Sequence, residues 1–172
     1  MAEVLGAVRN SDDTLARLAA RVGRHLLRNR REVATAESCT GGWIAKALTD
    51  IAGSSQWFNE GFVTYSNESK ALRLGVARAA LAKHGAVSEA VARAMAVGAL
   101  KRTGAQVAVA VTGIAGPGGA TPGKPVGIVW LAWAQRRGAG IRVAVQLKHF
   151  RGDRDAVRRK TVYTALHGLL AR

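Results

Sequence analysis

Disulfide scaffolds are excluded first, because the 172-residue chain contains a single cysteine, Cys39. A lone thiol fits a reducing compartment, so a cytoplasmic protein is expected. With only four scattered histidines beside that thiol, no metal-ligand spacing is present and no metal is expected. Long apolar runs are also missing: nothing approaches the ~20 residues of a membrane span, and residues 1–10 are too short and mixed for a signal h-region. A soluble protein without a membrane partner follows. Aromatic residues are few, at 5%, and do not alternate with basic ones, so stacking platforms for single-stranded nucleic acid are lacking. Acids are scarce too, 11 against 26 Lys and Arg, for a formal charge of +15. Such an excess attracts polyanions. The arginines are nevertheless spread through every segment and cluster only at 28–31, 136–137 and 151–159, so nucleic acid is a disfavoured partner.

What is present reads as one α/β domain over residues 1–172, with 1–10 a flexible N-terminus. A chain of this length buries about 70% of its unfolded surface without staples, and no repeat, linker or low-complexity tract divides it. Ser11 caps an amphipathic helix with Leu15, Leu18, Ala19, Val22 and Leu26 at helical spacing. A short strand is expected over 31–35, a helix over 43–48 and a strand over 60–65. Ser66 or Asn67 then caps a helix over 68–74, which Gly75 closes. A short helix over 77–83 and a longer one over 89–102, started by Ser88, come next. Val107 to Val111 is continuously apolar, the mark of a central strand covered on both faces. Strands over 126–133 and 141–148 form a hairpin, and Asp153 caps a last helix. The sheet is therefore mixed.

Two loops can carry chemistry. TAESCTGG at residues 35–42 sets Ser38 at a turn before a helix, where backbone N–H groups favour negative charge. A helix cap and a nucleophile both fit Ser38, and Cys39 is either a second nucleophile or a small buried side chain. TGIAGPGG at residues 112–119 follows the central strand, where ligands bind in open α/β sheets. The spacing from Gly118 to Lys124 imitates a P-loop but fails, since Pro125 occupies the Mg²⁺-binding hydroxyl position and a strand follows. Lys70 lies on the same helical face as the turn at Ser66. From spacing alone it is either a solvated lysine or a group facing the cleft beside Tyr65.

The motifs TAESCTGG, YSNxxK at 65–70, GAVSE at 85–89, TGIAGPGG, KPVG at 124–127 and GDRDAVR at 152–158 resemble the CinA C-terminal domain family. These are the stand-alone nicotinamide-nucleotide amidohydrolases, or nicotinamide mononucleotide (NMN) deamidases. The resemblance runs from about Ser11 to the end of the chain. It implies a single three-layer α/β/α domain with a mixed sheet, and hydrolysis of the NMN carboxamide to nicotinic acid mononucleotide and ammonia without a cofactor. Carried over, the nucleophile is Ser38, with Tyr65 and Lys70 as activating partners. Thr40, Gly41, Gly42, Asn67, Thr112, Gly113, Gly116 and Arg154 are expected to bind substrate, Gly41 and Gly42 as oxyanion donors. A homo-oligomer is compatible with this reading. The alternative function is a non-catalytic module that binds a pyridine nucleotide or nucleic acid.

Overall fold

Ser11 opens the first helix as its sequence context predicts. In the computed structural model, which describes residues 11–172, the Ser11 hydroxyl accepts the Thr14 N–H at 3.3 Å and starts α1, Asp12–Arg28. Leu15, Leu18, Ala19, Val22 and Leu26 form its buried stripe. The flexible segment expected over residues 1–10 lies outside the described residues. There follow β1 (Val33–Glu37), α2 (Trp43–Thr49), a 3₁₀ turn (Ser54–Gln56), β2 (Phe58–Val63), α3 (Asn67–Leu74) and α4 (Arg78–His84). The chain continues through α5 (Glu89–Thr103), β3 (Val107–Gly113), β4 (Ile128–Arg137), β5 (Gly140–His149) and α6 (Arg154–Leu169). Ser66, Ser88 and Asp153 cap α3, α5 and α6, accepting the N–H groups of Ser69, Val91 and Ala156.

The strands form one mixed sheet in the order β2-β1-β3-β4-β5. β1 pairs in parallel with both β2 and β3, whereas β3–β4 and β4–β5 are antiparallel. β3 lies in the middle, and Val107 to Thr112 are all buried, as its unbroken apolar run requires. Alternation divides its side chains between two cores. Val107, Val109 and Val111 join residues of α1, α2 and α6 on one face. Ala108 and Ala110 meet α5 and the ends of α3 and α4 on the other. The result is the expected three-layer α/β/α architecture.

The alanine-rich face lets α5 approach closely. Gly98 of α5 sits so near the end of α3 that a Cβ there would stand 2.0 Å from the Leu74 carbonyl oxygen. This contact sets the position of α3, the helix that carries Lys70.

Strand boundaries move by one to four residues from expectation. β1 ends at Glu37, not Thr35, because a carboxylate inside the sheet finds donors there, as described below. β2 begins at Phe58, whose position pairs with Val33. β4 begins after Gly127 and runs to Arg137, and the Arg137–Gly140 pairing leaves a two-residue loop in the hairpin.

Candidate active site

β1 and β3 run in parallel, so the turn after β1 and the glycine-rich loop after β3 emerge at the same end of the sheet. The ladder continues past the strands: Ser38 N–H donates to Val111 O at 3.1 Å, and Thr64 N–H to Glu37 O at 2.8 Å. Ser38 and Thr64 are thereby held on neighbouring strand ends. α3 then brings Lys70 back over them.

Lys70 is 1% exposed. Its Nζ donates to Thr64 O at 2.7 Å, to Ser38 Oγ at 3.0 Å and, at 3.4 Å, to Tyr65 O. This is not a solvated lysine. Burial pushes its pKa below the ordinary lysine value, since desolvation disfavours the charged form. Among the described residues no carboxylate contributes to that shift, and an amine that loses its proton more readily, placed beside a serine hydroxyl, is suited to removing the hydroxyl proton.

A buried acid shapes the serine turn. The Glu37 carboxylate accepts from Thr40 Oγ1 at 2.6 Å and from the N–H groups of Gly42 at 3.1 Å, Ile44 at 3.0 Å and Ala45 at 2.8 Å. It therefore caps α2 from the end of β1, the helix end where negative charge is favoured. Burial raises its pKa, and these four hydrogen bonds offset part of the rise. From outside, Arg158 donates to Cys39 O at 3.2 Å and Thr40 O at 2.8 Å. The turn itself passes through left-handed Gly41 (φ 62°) and Gly42 (φ 96°), a conformation glycine adopts without a Cβ penalty.

A cavity of about 260 Å³ opens over this pair, lined by Ser38, Cys39, Tyr65, Lys70 and residues 86–87, 112–116, 118–119 and 154. Larger clefts, of about 510 and 420 Å³, lie elsewhere, but neither sets a nucleophile beside a base. Of the residues expected to bind substrate, Thr112, Gly113, Gly116 and Arg154 line the Ser38 cavity. Thr112 Oγ1 donates to Ala86 O at 2.9 Å, fixing the wall opposite the loop. Arg154 bridges the mouth, donating to Gly116 O at 2.7 Å and to the Tyr65 hydroxyl at 3.0 Å.

Four expected substrate contacts are not brought to this cavity. Thr40 is fully buried and its hydroxyl is held by Glu37. Gly41 and Gly42 line the 510 Å³ cleft instead, and their N–H groups donate to Ser38 O and Glu37. Neither glycine is therefore available as an oxyanion donor. Asn67 is exposed at the start of α3 and does not line the cavity. Tyr65 is placed differently from expectation, since its carbonyl, not its hydroxyl, meets Lys70, and the side chain is 59% exposed. Glu37 and the Thr64 carbonyl are site features that the motifs alone did not yield. The signal for Glu37 is an acid ending an otherwise apolar strand just before a helix. Cys39 is buried with its pKa pushed up to about 12, chiefly by desolvation, which leaves it a neutral thiol. Among the described residues no group of three His, Cys, Asp or Glu side chains is placed to hold a metal ion, and no helix is long and apolar enough to cross a membrane.

Comparison with known proteins gives a consistent set of matches. The sequence profile of the CinA C-terminal domain matches residues 15–172. The nicotinamide-nucleotide amidohydrolase PncC of Escherichia coli K12 is 55% identical over 92% of this chain and 94% of its own length. Its Pseudomonas putida counterpart is 54% identical over 92% of this chain and 96% of its own. Among solved structures, the competence/damage inducible protein CihA from Agrobacterium tumefaciens superimposes with a TM-score of 0.86 at 47% identity, covering 94% of this chain and 95% of that one.

Proposed function

The chain belongs to the CinA C-terminal domain family, and on that premise we propose that it is a nicotinamide-nucleotide amidohydrolase in which Ser38 and Lys70 carry the reaction. The observation that bears most weight is the 3.0 Å contact between Lys70 Nζ and Ser38 Oγ at a buried site. Neutral Lys70 takes the Ser38 proton as Oγ attacks the NMN carboxamide carbon. The resulting ammonium returns that proton to the leaving nitrogen, and ammonia departs from an ester on Ser38. Water then attacks the ester, with Lys70 accepting its proton and returning one to Ser38 Oγ, and nicotinic acid mononucleotide leaves.

The oxyanion donors are sought among N–H groups of Cys39, Ala115 and Gly116. These residues line the cavity, and among the described residues their N–H groups have no backbone partner. Arg154, exposed at the mouth with two donors aimed across it, receives the ribose phosphate, a geometry suited to guanidinium. Tyr65 holds Arg154 through its hydroxyl and Lys70 through its carbonyl. Residues 11–172 make up one such domain, acting in the cytoplasm. A buried base on a serine favours turnover over the binding-module alternative, because binding alone gives no reason to desolvate a lysine. Ammonia release from NMN, measured with the wild type and Ser38→Ala, tests the proposal; equal rates would reject it.

A further inference from the structure

The opposite end of the sheet holds a second polar cavity that the amidohydrolase reaction leaves unused. Antiparallel pairing sets Gln135 across from Val107, the first residue of β3, and so far from the loop that follows that strand. Trp133, Gln135 and Arg137 alternate onto one face of β4, and the pairings Gln135–Arg142 and Trp133–Ala144 place Arg142 and Ala144 of β5 beside them. Together with Arg172 these residues line a cavity of about 230 Å³.

Its chemistry is one-sided. Three arginines line the cavity, Arg137, Arg142 and Arg172, and among the described residues no acidic side chain does. Gln135 is 4% exposed, and among the described residues its buried Nε2 has no hydrogen-bond partner, nor has the buried Nε of Arg172. Buried donors of this kind ordinarily find acceptors, and leaving them unpaired is costly. Burial, and then the charge of Arg142, depress the pKa of Arg172. The missing element is an acceptor that carries negative charge. A second cleft, of about 420 Å³, shares Trp133, Ala144 and Arg172 with this cavity and adds Lys148 and the stacked rings of Tyr163 and His167. A ligand larger than a bare ion therefore has room beside the arginines.

We propose that the cavity formed by Gln135, Arg137, Arg142 and Arg172 is a binding site for a phosphate group, separate from the active site. The phosphate oxygens accept from the arginine forks that line the cavity, an arrangement that tetrahedral oxyanions satisfy better than chloride. The occupant is inorganic phosphate or the phosphate of a small nucleotide, and the two are separable by affinity.

Inorganic phosphate and adenosine monophosphate are titrated at fixed ionic strength by calorimetry. Arg154→Gln serves as the background, because it removes the phosphate position proposed at the active site. One saturable site is expected in that background, and adding Arg142→Gln should weaken it about tenfold or more. Adenosine monophosphate binding tighter than inorganic phosphate identifies a nucleotide occupant, and equal affinities identify the ion. Arg142 is exposed, so its single variant should fold and keep wild-type ammonia release. Phosphate should raise the melting temperature of the Arg154→Gln protein and not that of the double variant. Equal affinities with and without Arg142→Gln, no saturable binding in the Arg154→Gln background, or binding of a duplex oligonucleotide without binding of phosphate would each overturn the proposal.

Discussion

Replacing Lys70 by methionine separates the base from the space it fills. Arginine is a poorer probe, because a guanidinium overpacks a site that is 1% exposed. Methionine keeps the length of the side chain and removes the amine, leaving Ser38 Oγ and Thr64 O without their 3.0 and 2.7 Å donor. Loss of a general base that also activates the nucleophile should lower kcat/KM by about 10³-fold or more, equivalent to ~4 kcal/mol of transition-state stabilisation. KM should change little, since in the proposed reaction Lys70 acts on Ser38 and not on the nucleotide phosphate. Stability carries a second signature. The orphaned Thr64 carbonyl costs about 1–3 kcal/mol, while removal of a desolvated amine relieves a penalty that depends on pH. The folded-state pKa of Lys70 lies below its unfolded value of about 10.5, so between the two the unfolded chain binds the extra proton. Wild-type stability therefore rises with pH through that window, by about 1.4 kcal/mol for each unit of depression. The methionine variant lacks this rise, and its stability relative to wild type should be most favourable on the acid side. Ammonia release across pH and urea melts at several pH values measure both effects. Turnover above about a tenth of wild type, or an unchanged rise of activity with pH in the variant, would refute Lys70 as the base.

Ser38→Ala should lose activity by about 10⁴-fold or more while unfolding within ~1 kcal/mol of wild type, as kinetics and denaturant melts will show. Cys39→Ser should keep turnover within several-fold, because the thiol is buried and neutral; complete loss of ammonia release there, with Ser38→Ala active, would exchange the two roles. Glu37→Gln puts an amide NH₂ against backbone N–H donors that now meet a carboxylate oxygen. It should cost about 1–3 kcal/mol in a urea melt and lower kcat through the displaced serine turn. Tyr65→Phe removes one of the two acceptors of Arg154 without touching the carbonyl that faces Lys70, so KM for NMN should rise more than kcat falls.

Much of this arrangement was legible in the sequence where local rules govern. Ser11, Ser88, Asp153 and the Ser66-Asn67 pair announce helix starts because capping depends on a few neighbouring atoms, and the apolar run of β3 announces its central place. Boundaries failed where tertiary partners decide. Glu37 extends β1 only because the N–H groups of α2 fold back to it, and Arg137 stays in β4 because β5 pairs with it. The position of Lys70 on α3 was readable from spacing, but its burial was not, since that depends on how far α5 lets α3 approach. The roles assigned to Gly41 and Gly42 missed for a related reason. A glycine-rich turn signals available N–H groups, and the sequence does not say that an acid five residues upstream takes one of them.

The site also shows why a lysine is usable here. A charged amine in a dry pocket opposes folding, so the position must be enforced by contacts that do not depend on its charge. Three independent attachments supply this. The β1–β3 ladder fixes Ser38 through Val111, the β1–β2 ladder fixes Thr64 through Glu37, and the Gly98–Leu74 approach fixes the helix from which Lys70 reaches both. Neighbouring strands are held about 4.8 Å apart, so the distance between the serine turn and the Thr64 carbonyl is a property of the sheet and not of flexible loops. The amine is then confined between two fixed oxygens, and its lowered proton affinity follows from its surroundings. Loosening any one attachment should let water reach Nζ and return its pKa toward that of an ordinary lysine, which would reduce the neutral fraction on which the proposed reaction depends.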